Sequence, residues 1–415
     1  MAEQRLVPYA LLLSSALISS IGTSMTLVAV PLIVLSLTGS AVTLGIVSAV
    51  ETSAVVIGTV LSGPLVDKAG PRRMALASSL AAALLLPVIP LAEHLDALSV
   101  GLLATVGAGV ALAASPGLTC RQLLVSATSE AAGIGRERAG SLYWMSPRLG
   151  MVIGAPLAAA LLGALDPTSV IWIDAAGFAL SGMLVLGVPA RMAPPLRQVR
   201  RTSSVEERDR NSYFEELRDG FRTVWNLRMV RAMALFAFVL NAVDAPRMTV
   251  LMPVYLRDVG APASMLAWVA GAYTAGSLAG LAVYTAVAGR LKGERVIAWC
   301  LGGTALAYAA LGFAPGVVAV VACMALTGAM QGPLLPIMVE AVNAHTDPSV
   351  RGRVLSTIMA LISVSLPVGN LLYGVLAELI PLWSVLLITA MAYGLSVRPI
   401  AKVIDRPVRK VGISR

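Results

Sequence analysis

The feature that most constrains this chain is a series of about twelve long apolar segments, separated by shorter polar stretches. Most segments reach the roughly 20 residues that a helix needs to cross about 30 Å of hydrocarbon. Each is continuously apolar rather than alternating, and a helix satisfies its own backbone hydrogen bonds in lipid, so the pattern predicts an all-α membrane protein. The segments lie at 9–36, 43–65, 74–92, 97–125, 139–164, 170–190, 230–256, 264–288, 294–314, 316–342, 353–379 and 382–400.

Composition and charge agree with this prediction. Of the 415 residues 57% are hydrophobic and only 13% are charged, which leaves too little polar surface for a soluble globule. The net charge of +9 does not indicate nucleic-acid binding, because the cations alternate between loops instead of gathering on one domain. By the positive-inside rule we expect both termini in the cytoplasm. The excess of arginine over lysine indicates a GC-rich bacterial genome, and we expect the protein in the bacterial cytoplasmic membrane.

One long polar segment divides the chain into two sets of six spans. We predict an N-terminal six-helix bundle over 1–190, a cytoplasmic linker over 191–229, a C-terminal bundle over 230–400 and a basic cytoplasmic tail over 401–415. Within the linker, apolar residues recur at helical spacing, which predicts a short amphipathic helix on the membrane surface. These residues are Phe214, Leu217, Phe221 and Val224.

The two halves also repeat each other in sequence. The loop "RERAGS", 136–141, aligns with "RGRVLS", 351–356. At the same offset Gly154 aligns with Gly369. At a slightly different offset Thr52 aligns with Thr274. Such duplication predicts two pseudo-symmetric bundles, as in many secondary transporters.

Between the second and third segments lies "GPLVDKAGPRRM", which resembles the signature of the major facilitator superfamily. The resemblance implies twelve helices in two bundles and a cytoplasmic latch in this loop. We expect the two glycines to permit turning and close approach, and the aspartate to face a helix N-terminus or an arginine. The alternative is a basic inner loop that only obeys the charge rule. The matching residues are Gly63, Leu65, Asp67, Gly70, Arg72 and Arg73.

Longer stretches are similar to the Tap-type multidrug exporters of mycobacteria, among them "AVPLIVLSLTGSA", "GFRTVWNLRMVR" and "IDRPV". This resemblance implies proton-coupled drug efflux. Gly150, Gly154 and Pro156 are similar to the helix-five pattern of proton-coupled exporters, although small residues at this spacing also serve ordinary helix packing. An acidic residue that the group often carries in helix one is replaced here by Thr23.

Charges inside apolar spans are costly and therefore candidates for function. Glu51 in the second span is predicted to carry the proton, with a structural carboxylate as the alternative. Asp244 in the seventh span is the other candidate for proton coupling. Arg247 follows it at the spacing of one helical face, so a structural or gating ion pair is equally open.

Further polar residues are predicted to line the substrate cavity or to hold its shape. Arg121 and Arg148 are expected to be buried cations, unless they extend to the headgroups. Asp174 and Glu378 lie nearer the outer surface and are expected to face water. The other cavity candidates are Asn241, Arg247, Tyr273 and Gln331.

No enzyme or metal chemistry is indicated. The three cysteines lack metal-ligand spacing, both histidines fall in loops, and no phosphate-binding loop is present. We therefore predict a monomeric secondary transporter without catalytic residues, metal or cofactor, driven by the proton gradient. Its partners would be protons, the lipid bilayer and small amphipathic, cationic substrates, with no nucleic acid. A siderophore or metabolite carrier, possible also as an importer, and a lipid translocator or membrane receptor remain the alternatives.

Overall fold

The computed structural model describes residues 2–189, 222, 225–226, 228–287, 293–314, 316–346 and 351–404. These residues form helices and connecting turns, with no strand among them. The helices are α1 (Ala2–Thr38), α2 (Ala41–Ala69), α3 (Pro71–Leu85), α4 (Val88–His94), α5 (Val100–Ala131), α6 (Arg136–Leu162), α7 (Pro167–Leu186), α8 (Arg228–Asp244), α9 (Met252–Asp258), α10 (Ser264–Val287), α11 (Gly293–Gly312), α12 (Val317–Gln331), α13 (Leu334–His345), α14 (Arg351–Leu379) and α15 (Leu382–Ile404).

Twelve helical stretches are long and apolar enough to cross a membrane, which confirms the predicted all-α fold. Their ends differ from the predicted ones by only a few residues. Three spans consist of two helices each: α3 with α4, α8 with α9, and α12 with α13. A π-helical turn, Arg247–Leu251, lies within the seventh span.

Proline explains where these three spans break. Pro87, Pro246 and Pro333 lie at the junctions, and proline has no N–H to donate to the carbonyl four residues earlier. In the seventh and tenth spans the last helical residue before the break is polar: Asp244 ends α8 and Gln331 ends α12. The breaks therefore present two polar side chains at the centre of otherwise apolar spans.

Glycines of neighbouring helices face carbonyls that proline leaves without a helical donor. A Cβ on Gly280 would collide with the Ala329 carbonyl, four residues before Pro333. A Cβ on Gly369 would likewise collide with the Ala242 carbonyl, four residues before Pro246. Close approach of a glycine Cα–H to a carbonyl oxygen is a recognised helix contact.

The described helices cluster into two compact units. Unit 1 comprises Met1–Glu206, Met248–Gly271 and Asn370–Glu378, and in it α1 packs on α6 and α7 while α5 packs on α2 and α3. Unit 2 comprises Glu207–Arg247, Ala272–Gly369 and Leu379–Arg415, and in it α11 packs on α12 and α15.

Packing within each unit reflects the sequence repeat. In unit 1, a Cβ on Gly154 of α6 would lie 2.8 Å from the Ile21 carbonyl of α1. In unit 2, the aligned Gly369 of α14 faces a carbonyl of α8 in the same way. Gly150 also faces α1, with its Cβ position 2.8 Å from the Leu17 carbonyl. Helix packing alone thus accounts for these glycines, and Pro156 next to them is exposed.

The predicted linker helix and the end of the basic tail fall outside the described residues. Phe214, Leu217, Phe221 and Val224 are not among them, so the amphipathic helix in 191–229 stays a prediction. The same holds for the tail beyond Ile404.

The signature segment differs from the predicted loop. Helix α2 continues to Ala69 and only Gly70 separates it from α3, so the segment is mostly helical. Gly70 makes the turn with a positive φ of 81°, a conformation that favours glycine. The role expected for Gly63 is wrong, because it lies inside α2 and nothing is within 4 Å of its Cβ position.

Candidate functional site

The seventh span carries a buried ion pair at its break. Asp244 Oδ1 accepts a hydrogen bond from Arg247 Nη1 at 2.6 Å, and the arginine side chain is only 7% exposed. The same carboxylate oxygen accepts from Gln331 Nε2 at 2.7 Å and from Tyr308 Oη at 3.1 Å. Three donors therefore converge on one carboxylate oxygen in unit 2.

Gln331 connects the members of this cluster. Besides Asp244, its Nε2 group donates to Tyr393 Oη at 2.9 Å. Its Oε1 atom accepts from Arg247 Nη1 and from Tyr273 Oη, both at 2.9 Å. Both ends of the amide are thus fully used, and Gln331 joins the other members of the cluster through hydrogen bonds.

Aromatic rings enclose the cluster. The Arg247 guanidinium lies 3.6 Å from the centroid of the Tyr273 ring, a close cation–π contact. Tyr308 and Tyr393 stack with centroids 5.8 Å apart, and both are fully buried. We call Asp244, Arg247, Tyr273, Tyr308, Gln331 and Tyr393 the polar network of unit 2.

The sequence analysis named four members of this network: Asp244, Arg247, Tyr273 and Gln331. It did not name Tyr308 or Tyr393, because a tyrosine within an apolar span carries no signal of its partners. The remaining cavity candidate of this half, Asn241, is not in the network. Its amide donates to the Ala237 carbonyl of its own helix at 2.9 Å.

An apolar pocket of about 70 Å³ lies in unit 2. Leu240 and Leu334 line it, each close in sequence to a network residue. Met233, Phe236 and Met338 supply further apolar surface. None of the residues predicted from sequence to line the substrate cavity lines this pocket.

Glu51 lies in a different environment, in unit 1. Its carboxyl group lies against Gly107 of α5, where a Cβ on the glycine would collide with Oε1. Among the described residues it has no hydrogen bond and no salt bridge, and its side chain is half-buried. The second span therefore holds a carboxyl group without a neutralising cation.

Asp174 on α7 is a second such carboxyl. It is 1% exposed, which contradicts the expectation that it faces water. Its Oδ2 atom accepts a hydrogen bond from Thr26 on α1, and its Oδ1 atom has no partner among the described residues. The sequence placed Asp174 near a span end, but it could not show which helix face turns inward.

The two arginines predicted as buried cations differ from each other. Arg121 is 2% exposed and donates to Ser79 Oγ at 2.8 Å and Ser181 Oγ at 3.0 Å, so hydroxyl groups hold it rather than an acid. It does not extend to the headgroups. Arg148 is exposed, because its face of α6 turns away from the unit, and the prediction of burial is wrong for it.

At one end of unit 1, hydrogen bonds link segments that lie far apart in the sequence. Glu378 Oε2 accepts from the backbone N–H of Ala41 at 2.9 Å and of Val42 at 3.3 Å, so it caps α2 rather than only facing water. Arg257 donates to the Gly39 carbonyl. Asn370 accepts from Thr249 Oγ1 at 2.7 Å.

The predicted latch residues show only local contacts in unit 1. Arg72 Nη2 donates to the Leu186 carbonyl at 2.7 Å, at the end of α7. Arg73 is exposed. Asp67 is half-buried and has neither a hydrogen bond nor an ion pair in the part of the chain that the structure describes. The latch therefore stays a prediction.

The described side chains form no candidate metal site. Within the described ranges, no three His, Cys, Asp or Glu residues lie close enough together to hold a metal ion. The three cysteines are free thiols.

Comparison with known proteins identifies the family to which the chain is similar. The chain matches the sequence model of the Major Facilitator Superfamily over residues 12–261 and 248–412. It is 27% identical over 378 residues to the multidrug efflux pump Tap of Mycolicibacterium fortuitum, covering 89% of each chain. To the multidrug efflux pump Tap of Mycobacterium tuberculosis (strain ATCC 25618 / H37Rv) it is 26% identical over 374 residues, 89% of this chain and 87% of the pump.

A solved structure supports the same fold. The nucleoside transporter NupG aligns with a TM-score of 0.79 at 14% identity, over 97% of this chain and 100% of NupG. Together with the twelve apolar spans and the match along nearly the whole length, this shows that the chain belongs to the Major Facilitator Superfamily and is a multi-pass membrane transporter, not an enzyme.

Proposed function

We propose that the protein is a proton-coupled exporter of amphipathic drugs or toxic metabolites. It would work by alternating access in the bacterial cytoplasmic membrane, as a monomer with both termini in the cytoplasm. Efflux transporters of this superfamily use an ion gradient and not a cofactor. Two similar proteins are named multidrug efflux pumps, which supports drugs as the substrate class.

The observation that carries the proposal is the unpaired carboxyl group of Glu51. A half-buried carboxylate inside an apolar span without a cation is costly, so it gains from binding either a proton or a cationic substrate. A proton and a cationic drug would then compete for the same negative charge. Binding one would release the other, which is the requirement for exchange of protons against drug.

Asp244 is less suited to this role. Arg247 and two neutral donors already engage its carboxylate, so a proton would have to displace an ion pair. We therefore assign proton exchange to Glu51 and a structural role to the polar network of unit 2.

Alternating access requires contacts that can open. In unit 1, the hydrogen bonds from Ala41 and Val42 to Glu378 and from Arg257 to Gly39 join segments that are far apart in sequence. Opening of the transport path at this end would break them. They are few, and the bonds to Glu378 and from Arg257 involve charged groups that water can solvate.

The test is drug transport in proteoliposomes with an imposed pH gradient. With the interior more acidic than the bath, protons leaving the vesicle should drive a fluorescent cationic drug inward. Glu51→Gln should abolish this accumulation, and an unchanged unfolding transition of the purified variant would show that it still folds. Full accumulation by Glu51→Gln would overturn the proposal.

The same vesicles discriminate the alternatives. Uptake of a siderophore or polar metabolite in symport with protons, without drug movement, would indicate an importer. Exchange of labelled lipid between leaflets that is independent of the gradient would indicate a translocator.

A further inference from the structure

Asp174 is a buried acid that the exchange reaction at Glu51 does not use. It lies in α7, about 10 Å along the helix from Pro167 at 1.5 Å per residue. Its Oδ1 atom lies against Gly22 of α1, where any Cβ would collide with it. Thr26, one turn further along α1, donates to the other carboxylate oxygen.

Among the described residues, no cation neutralises Asp174. The helices packed against α7 are chiefly α1, α3, α4 and α6. Among the described residues, none of their titratable or charged side chains forms a hydrogen bond or ion pair with Asp174. Those side chains are Tyr9, Arg72, Arg73, Glu93, His94, Arg138, Tyr143 and Arg148.

The charged groups that do contact α7 do so elsewhere on the helix. Glu93 accepts from Thr168 near the start of α7, and Arg72 donates to Leu186 at its end. Arg121 of α5 donates to Ser181, two turns beyond Asp174. An ionised Asp174 would therefore be a buried charge with a single neutral donor.

Such a charge is much more costly than a neutral carboxyl group in the same place. The neutral form removes the charge and keeps a hydrogen bond with Thr26, and one polar carboxyl oxygen against Gly22 stays without a partner among the described residues. Glu51 shares this geometry, since its carboxyl also lies against a glycine of a neighbouring helix and has no cation. Glu51 and Asp174 thus differ from Asp244 in the same way.

We propose that Asp174 is a second proton-binding residue of the transport cycle, neutral in the conformation of this structure. It would ionise when α1 and α7 separate enough for water or a cationic group to reach the carboxylate. The proposal rests on the proposed proton coupling and extends it: two protons, one at each acid, would be exchanged for each drug molecule.

The protonation of Asp174 can be tested directly, without any drug, by infrared difference spectroscopy of the full-length protein in lipid. The difference is taken between the spectra of the unlabelled and the ¹³C-aspartate-labelled protein. A neutral carboxyl group has a C=O stretch well separated from that of a carboxylate. At neutral pH the wild-type protein should show a neutral-carboxyl band that moves on ¹³C-aspartate labelling. Asp174→Asn should lack this band, and Glu51→Gln should keep it.

Thr26→Val provides the matched control. It removes the hydroxyl donor but leaves the acid, so the labelled band should remain and shift in frequency. Because labelling requires no substitution, the result stands even if Asp174→Asn does not fold. Absence of a labelled neutral-carboxyl band at neutral pH, or an unchanged band in Asp174→Asn, would overturn the proposal.

The number of protons exchanged per drug molecule tests whether the proton on Asp174 takes part in the transport cycle. In proteoliposomes, Asp174→Asn should move drug with one proton fewer per molecule than the wild type. An unchanged proton-to-drug ratio would refute a role in coupling. If Glu51→Gln pumps normally while Asp174→Asn loses a proton, the assignment of Glu51 fails and that of Asp174 stands.

Discussion

Asp244 and Glu51 are both acids at the middle of apolar spans, yet their surroundings are opposite. Asp244 accepts hydrogen bonds from Arg247, Gln331 and Tyr308, so its charge is neutralised within unit 2. Glu51 lies against Gly107 without any donor among the described residues. A charged residue inside a span can therefore either stabilise the helix bundle or bind and release a proton, and its hydrogen-bond and ion-pair partners determine which.

The comparison predicts opposite consequences for stability and for transport. Removing one partner of a buried ion pair leaves the other partner as an uncompensated charge. Neutralising an acid that has no partner instead removes an uncompensated charge. Substitutions in the polar network should therefore reduce the stability of unit 2. Substitutions around Glu51 should leave stability nearly unchanged and alter the response to pH.

The largest effect is expected for Arg247→Met, which leaves Asp244 buried without its cation. Loss of one partner of such a pair costs about 3–5 kcal/mol in the free energy of unfolding. Glu51→Gln should change it by less than about 1 kcal/mol, because no hydrogen bond is lost. Reversible unfolding in mixed micelles measures both values. Equal stability of the two variants would remove the distinction between the sites.

A smaller effect is expected for Gln331→Leu. The substitution removes the amide that joins Asp244, Arg247, Tyr273 and Tyr393, and leaves buried groups unsatisfied at about 1–3 kcal/mol. Asn241→Leu is the matched control, because that amide bonds only to a carbonyl of its own helix. If both variants lose the same stability, the network is not the cooperative unit described here.

The smallest change in stability is expected for Gly107→Ala. The new methyl group would collide with Glu51 Oε1 and displace the carboxyl group, while alanine favours the helix by about 1 kcal/mol. Stability should therefore hardly change, and gradient-driven drug accumulation should fall several-fold. Gly109→Ala on the same helix is the control, since its Cβ would meet only the Leu85 side chain, at 3.4 Å. A loss of transport in both variants would point to general helix disturbance.

Much of the fold follows from the sequence because lipid imposes a simple rule. Every span must be a helix of sufficient apolar length, so the segment 230–256 was predicted close to the observed Val230–Asp258. The internal breaks were not predicted, although Pro246 and Pro333 are visible in the sequence. A membrane helix can accommodate proline without a break, and the packing of neighbouring helices determines whether the helix breaks there.

For the candidate site, the sequence identified the rare charges but not their partners. Glu51 and Asp244 stand out because charged residues are unusual in spans. Tyr308 and Tyr393 do not, since their contacts with Asp244 and Gln331 join positions more than 60 residues apart. Asp174 is expected from the sequence to face water because it lies near a span end, and depth along a helix does not reveal which face is buried.

The most direct test of the central claim is proton release on drug binding. In weakly buffered detergent solution with a pH indicator dye, a cationic drug that competes with protons should release protons from the wild-type protein. It follows that acidification should weaken drug binding. Asp244→Asn, if folded, should release as many protons as the wild type, and Glu51→Gln should release fewer. Unchanged release by Glu51→Gln together with loss in Asp244→Asn would contradict the account.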